Sequence, residues 1–294
     1  MGGLYRDCLG VSSRAMTNPH SARRRAIAQR VADAHGAPLA FVSGSVVDEL
    51  ADERSDVDMS VVFDVLPGRE ALLKACRSAG GTDWFWHAGD LVEGGLVVAF
   101  QVDEIEVQIG YSDAKTLDAH VDELLVEHKA DTPTHKLGEG ILKAEALAGA
   151  ERLAALKARL AHFPPELGQA MIDHFLRQGA PWRAVSQLLH RDGELWCREL
   201  LVDACYGLFG ALAGLNRRYF TTFQFKRMTR FAQGLTLAPA ELAPRVRRLL
   251  LAPPRAAFEQ LFALEGELLE LVAAHAPKAD LSMVRRRRGD FRLD

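Results

Sequence analysis

The spacing of apolar residues changes character near the middle of the chain. In the first half apolar runs are short, rich in valine and broken by glycine or acidic turns; in the second they recur at helical spacing. After an opening extension over residues 1–20, Ser21 is placed to cap a first helix over 21–34, ended by His35-Gly36. PLAFVSG, residues 38–44, reads as a short buried strand running into a glycine turn, and DVDMSVVFD, residues 56–64, alternates as a second strand. A helix over 70–79 closes at Gly80-Gly81. The runs LVVAF and IEVQIGY, around the polar connection 101–104, predict a hairpin. From about Thr116 the pattern is helical, with KLGEGILKAE (136–145) as a strand-like interruption. Helices are expected over 149–162, 166–178, 181–192, 194–215, 221–234, 240–250 and 255–275, punctuated by prolines and Gly193. Strands first and helices later predict an α+β chain: an extension over 1–20, a mixed-sheet domain over 21–147 and an all-α bundle over 148–294.

Composition narrows the class. The 294 residues suit about two domains. With 48% hydrophobic and 26% charged residues the chain is neither disordered nor fibrous. A net charge of −3 gives no general attraction to nucleic acid or anionic membrane, so any such affinity must come from a local patch. The four cysteines, Cys8, Cys76, Cys197 and Cys205, form no C-x-x-C pair, which points to free thiols in a reducing cytoplasm. The longest apolar run, Ala204–Leu215, has 12 residues, short of the ~20 a membrane span needs. No signal-peptide pattern opens the chain, so a soluble, cytoplasmic protein with no membrane partner is expected. The absence of phosphate-loop, dinucleotide-binding and nucleophile-elbow motifs weighs against a kinase, GTPase, dehydrogenase or serine hydrolase.

Chemistry concentrates in VSGSVVDELADERSDVDMSVVF, residues 42–63. A strand runs into Gly44-Ser45, and Asp56-Val57-Asp58 opens the next strand. Side chains two apart on a strand share a face, so Asp56 and Asp58 aim together while Val57 points to the core. Paired carboxylates repel unless a cation lies between them. Hard oxygen ligands on a strand suit Mg²⁺, with phosphates and water completing its shell. Gly44-Ser45 supplies backbone amides, a hydroxyl and room for close approach, as phosphate binding requires. A third carboxylate is sought in the strand 105–111, where Glu106 ranks first and Glu104, at the turn, second.

Gly-Ser, a spacer, Asp-hydrophobic-Asp and a later acidic strand residue resemble the polymerase-β-type nucleotidyltransferase superfamily, in particular the bacterial branch with the aminoglycoside and lincosamide nucleotidyltransferases. The motif spans roughly residues 38–110. GILKAEALAGAERLAALKARLAHFPPEL and LNRRYFTTFQFKRMTRFAQGL are similar to the helical half of a widespread bacterial group in that superfamily. Two departures stand out: Glu106 replaces the commoner aspartate, and Ala144-Glu145 stands where that group often has an aspartate. The resemblance implies a nucleotidyltransferase mixed sheet with flanking helices, then a helical bundle. It implies that Ser45 contacts the triphosphate and that Asp56 and Asp58 hold two Mg²⁺ ions. Glu106 would complete the metal shell and perform proton abstraction. An acceptor hydroxyl would attack the α-phosphorus of ATP or another nucleoside triphosphate, and pyrophosphate would leave. A homodimer is a superfamily-level expectation.

The remaining features divide between binding and structure. Arg217-Arg218, Lys226-Arg227 and Arg230 lie in a segment free of acids; Lys226 and Arg230, four apart, would share a helical face as a nucleotide-binding wall. Lys136 and Lys143 are alternative phosphate partners. That basic segment disfavours a polycationic antibiotic and favours a neutral small molecule, tRNA or a protein as acceptor. Arg285–Arg288 reads as a solvated basic tail. Trp84, Phe85 and Trp86 are expected in the core, with a base or substrate pocket as the alternative role. The rival to an enzyme is a non-catalytic or toxin–antitoxin-type regulatory module on the same scaffold.

Overall fold

The computed structural model describes residues 18–289 and 291. Residues 1–17 of the expected extension, with Cys8, lie outside the described residues. The fold is α+β and divides into two units: residues up to 116 with 143–153, and 117–142 with 154 onward. Chain order begins α1 (Pro19–His35), β1 (Leu39–Val42), β2 (Val57–Phe63), α2 (Arg69–Ser78), β3 (Trp86–Asp90), β4 (Gly95–Val102) and β5 (Ile105–Asp113). It continues through α3 (Ala114–Leu125), α4 (Thr134–Lys143), β6 (Glu145–Ala148) and α5 (Ala150–Ala161).

The first unit holds a six-stranded sheet in the order β3-β4-β5-β2-β1-β6. Only β2 and β5 pair in parallel; the other neighbours are antiparallel. The period-2 alternation of β2 and β5 decides which face is covered. Val57, Met59 and Val61 lie in register with Val107, Ile109 and Tyr111, and all six join Ile27, Val31, Leu72 and Cys76 in one core. The alternate positions, Asp58, Ser60, Gln108 and Gly110, stand half-buried on the opposite face. Shifting the register by one residue would bury the carboxylate and expose three apolar side chains, so the pattern fixes the pairing.

Some boundaries differ from expectation. Asn18 rather than Ser21 caps α1: its side chain accepts from His20 N–H, and Pro19 fills the first turn. The β4–β5 connection shortens to Asp103-Glu104, both left-handed at φ 50° and 64°, a two-residue hairpin turn. Segment 136–143 is helical, because His135, Gly138 and Ile141 bury one helical face; strand begins only at Glu145. Edge strand β3 was not predictable from alternation, since all five of its residues are exposed.

The second unit adds α6 (Pro165–Arg177), α7 (Trp182–Leu188), α8 (Glu194–Leu215), a 3₁₀ turn (Thr222–Arg227), α9 (Met228–Gln233), α10 (Leu242–Leu251), α11 (Pro254–His275) and α12 (Ser282–Gly289). The apolar stretch of α8 packs on α6. A Cβ at Gly210 would enter the Phe175 ring, and one at Gly214 would lie 2.8 Å from the Gly168 carbonyl oxygen. Small residues therefore set the close approach of the two helices. None of the helices among the described residues is long and apolar enough to cross a membrane. The Arg285–Arg288 run is not a solvated tail throughout. Arg287 donates to the Leu176 and Arg177 carbonyls at 2.9 Å, and Arg288 Nη1 lies 2.7 Å from Glu265 Oε2. Glu265, 6% exposed, also accepts from Trp182 Nε1 at 2.9 Å, so the terminal arginines neutralise a buried carboxylate.

One histidine in each unit, half-buried His35 in the first and buried His135 in the second, is held neutral. His35 Nδ1–H donates to the Val31 carbonyl, leaving Nε2 to accept from the Tyr111 hydroxyl, both at 2.7 Å. His135 Nε2–H donates to the Lys129 carbonyl at 2.9 Å, and Nδ1 accepts from Phe220 N–H at 3.4 Å. Desolvation by burial pushes both imidazoles below their ordinary value. The unfolded chain takes up these protons near pH 6.5 and the folded chain does so only at lower pH, so stability falls as pH drops through 6.5. Urea denaturation should lose up to about 1 kcal/mol per histidine between pH 6.5 and 5.5. His35→Gln and His135→Gln should each flatten that slope, and an unchanged slope would contradict the assignment.

Candidate functional site

The turn after β1 and the start of β2 meet on the open face of the sheet. Ser43 N–H donates to the Asp58 carbonyl at 3.0 Å, which extends the β1–β2 ladder by one bond. Gly44 then turns the chain with φ 68°, and the backbone continues through tight turns over 44–49, where Leu50 N–H returns to the Ser45 carbonyl at 2.9 Å. A Cβ on Gly44 would collide with Asp58 Oδ2, and Asp58 Cγ would lie only 3.3 Å from it. Residue 44 must be glycine for two independent reasons: its backbone is left-handed, and a carboxylate occupies the space of its side chain.

Asp56 directly precedes β2 and Asp58 lies one residue inside it; both are half-buried, with Val57 fully buried between them. Asp58 is in register with Gln108 of β5, and one step back from the Val57–Val107 pair sets Asp56 beside Glu106. Gln108 Nε2 donates to Glu106 Oε1 at 2.8 Å. Gly44, Asp56, Asp58 and Glu106 thus share one region of the sheet, with Ser45 in the adjoining turn and Gln108 as a partner that sequence reading missed. Glu104 belongs to the hairpin turn and not to the strand face.

Among the described residues no group of three His, Cys, Asp or Glu side chains gathers as a ready-made metal cluster. The donor set of Asp56 and Asp58 nonetheless suits Mg²⁺, which takes one or two carboxylates and leaves its other positions to phosphate and water. The Gly44 backbone against Asp58 keeps bulk away from that carboxylate.

Two arginines of α1 hold the loop that carries these residues. Arg25 Nε and Nη1 each lie 2.6 Å from a carboxylate, Glu145 of β6 and Glu49 of the turn, and Nη2 donates to the Val46 carbonyl at 3.1 Å. Those hydrogen bonds hold the guanidinium well above its usual range. Arg24, only 2% exposed, donates to the carbonyls of Ser55 at 2.7 Å and Glu53 at 3.3 Å. Burial lowers its pKa, with the negative charges of Asp52 and Asp56 opposing. The acids before β2 make local contacts: Glu49 meets Arg25, and Asp52 Oδ1 accepts from Ser55 Oγ at 2.9 Å. The run Arg23-Arg24-Arg25 was the available signal, but its partners lie up to 120 residues away.

The other expected site residues divide between the two units. Lys143 Nζ is 3.9 Å from Asp48 of the turn. Lys226 and Arg230 belong to the second unit and do not share a helix: Lys226 is in the 3₁₀ turn and Arg230 in α9, with a break at Arg227 (φ −138°). Lys136 and Lys226 approach the exposed Phe223 ring at 4.0 and 5.3 Å. Trp84 is the one aromatic of its cluster that reaches the core, packing against Tyr111 and donating to Cys76 Sγ at 3.4 Å. Phe85 and Trp86 remain 58% and 49% exposed.

No family model matches the chain, and no curated protein matches it. Among solved structures it is similar to the crystal structure of a nucleotidyltransferase-like protein from Exiguobacterium sibiricum 255-15. The two are 14% identical with a TM-score of 0.34, over 87% of this chain and 77% of that one.

Two glycines separate site chemistry from general backbone strain. Gly36 is also left-handed, at φ 58°, but a Cβ there meets nothing within 4 Å. Gly36→Ala should cost only the conformational strain, about 1 kcal/mol. Gly44→Ala should add displacement of the Asp58 carboxylate to that strain and cost at least about 2 kcal/mol. Equal destabilisation of the two variants, measured by urea denaturation, would contradict the cradle.

Proposed function

We propose that the protein is a Mg²⁺-dependent nucleotidyltransferase that moves a nucleoside monophosphate, AMP from ATP as the leading donor, onto a hydroxyl of a small molecule, tRNA or protein. The observation that carries this reading is the Asp58 carboxylate seated against the Gly44 backbone, with Asp56 beside it on the same face. Asp56 and Asp58 would hold the metal, whose chemistry is charge neutralisation at the transferring phosphate. The turn amides after Gly44 and the Ser45 hydroxyl would bind the non-transferred phosphates. The acceptor oxygen forms the new bond to the α-phosphorus as the bond to pyrophosphate breaks. The acceptor's proton passes to Glu106, which must first release Gln108 or share its hydrogen bond. Positioning and electrostatics supply most of the rate under this scheme.

A binding module without turnover is the second reading, and the Gln108–Glu106 hydrogen bond is what favours it. Calorimetry with each of the four nucleoside triphosphates, with and without Mg²⁺, tests the first part of the proposal. Wild type should bind at least one of them only with Mg²⁺, and Asp56→Ala/Asp58→Ala should weaken that binding at least a hundredfold while staying folded. Metal-independent binding, or binding that survives the double substitution, would refute the site. Binding without pyrophosphate release in the presence of acceptor pools would favour the module.

A further inference from the structure

The open face of the sheet carries a row of side chains that leads away from the acidic pair. Trp86 of β3 pairs with Ala99 of β4, Ala99 with Gln108 of β5, and Gln108 with Asp58 of β2. Residues paired in register point to the same side of a sheet, so Trp86 shares the Asp58 face. Three strand spacings separate them, about 14 Å, within reach of an extended nucleoside triphosphate. The floor between them is low, and Ala99, 2% exposed, is covered by its neighbours. Ala99 is the only residue between Trp86 and Gln108 in the row, and Gly110 in the next row has no side chain. Trp86 is 49% exposed, and among the described residues its indole makes no ring contact or side-chain hydrogen bond. Its neighbour Trp84 does the packing work, against Tyr111 and Cys76. A large indole left uncommitted in line with a phosphate-binding end calls for a flat partner.

We infer that Trp86 is the stacking platform for the base of the nucleoside triphosphate. This rests on the reading of Asp56 and Asp58 as the phosphate and metal end. The platform would supply affinity through the π-face of the base, and selectivity among bases would come from other contacts.

Inorganic tripolyphosphate separates the two ends of the ligand, since it offers the phosphates and lacks the base. In Mg²⁺, wild type should bind its preferred nucleoside triphosphate about tenfold more tightly than tripolyphosphate, a typical stacking contribution. Trp86→Ala should erase that advantage and leave tripolyphosphate affinity unchanged, whereas Trp86→Phe should keep most of it. An advantage that persists in Trp86→Ala would overturn the inference, as would a wild type with no preference for the nucleotide. Loss of tripolyphosphate binding in Trp86→Ala would assign Trp86 a structural role and overturn it too. If neither ligand binds wild type, or if Asp56→Ala/Asp58→Ala binds both normally, the phosphate end itself fails and the inference falls with it.

Discussion

Asp58 brings its carboxylate against the main chain of Gly44 because residue 44 has no Cβ and holds φ at 68°. That contact depends on β2 lying between β1 and β5. Pairing with β1 delivers the Gly44 turn to the level of Asp58, through the Ser43–Asp58 hydrogen bond. Parallel pairing with β5 sets Glu106 and Gln108 alongside the acids. The buried half of the same alternation, Val57, Met59 and Val61, anchors the strand in the core, so the acidic face and the stabilising face are two sides of one segment. Truncating one of those core residues to alanine would cost about 2–4 kcal/mol and would loosen the acidic face with it.

Concentrating carboxylates on one face works against the fold, and the surroundings offset the repulsion from outside the site. Arg24 is buried beside Asp56 and fastened to the carbonyls of the loop before it. Arg25 ties the turn to β6 through two carboxylates. Both arginines act on the backbone that positions the acids. An acidic face supported in this way holds repelling carboxylates together at some expense in stability, as functional sites commonly do.

The fold class was legible because alternation in 56–64 and helical spacing in the second half are local signals. The acidic pair was legible for the same reason: two residues apart on a strand is a geometry that the chain itself dictates. What was hidden depends on distant partners. The holding role of Arg24 and Arg25 could not be read, since the loop and strand they hold lie 20 to 120 residues on. Gln108 gained meaning only from the β5 register. Strand β3 has neither alternation nor burial, so its edge position, and with it the exposure of Trp86, could not be read locally. The segment 136–143 misled because glycines obscured a helical face formed by His135, Gly138 and Ile141.

The central claim is that Asp56 and Asp58 meet a triphosphate-bound divalent cation above the Gly44 turn. The most direct test is a crystal grown with Mn²⁺ and a non-hydrolysable analogue of the preferred triphosphate, with anomalous scattering locating the metal. An anomalous peak coordinated by carboxylate oxygens of both Asp56 and Asp58 and by phosphate oxygens is the expected result. A nucleotide bound with its phosphates and metal elsewhere, leaving both aspartates without a metal, would contradict it.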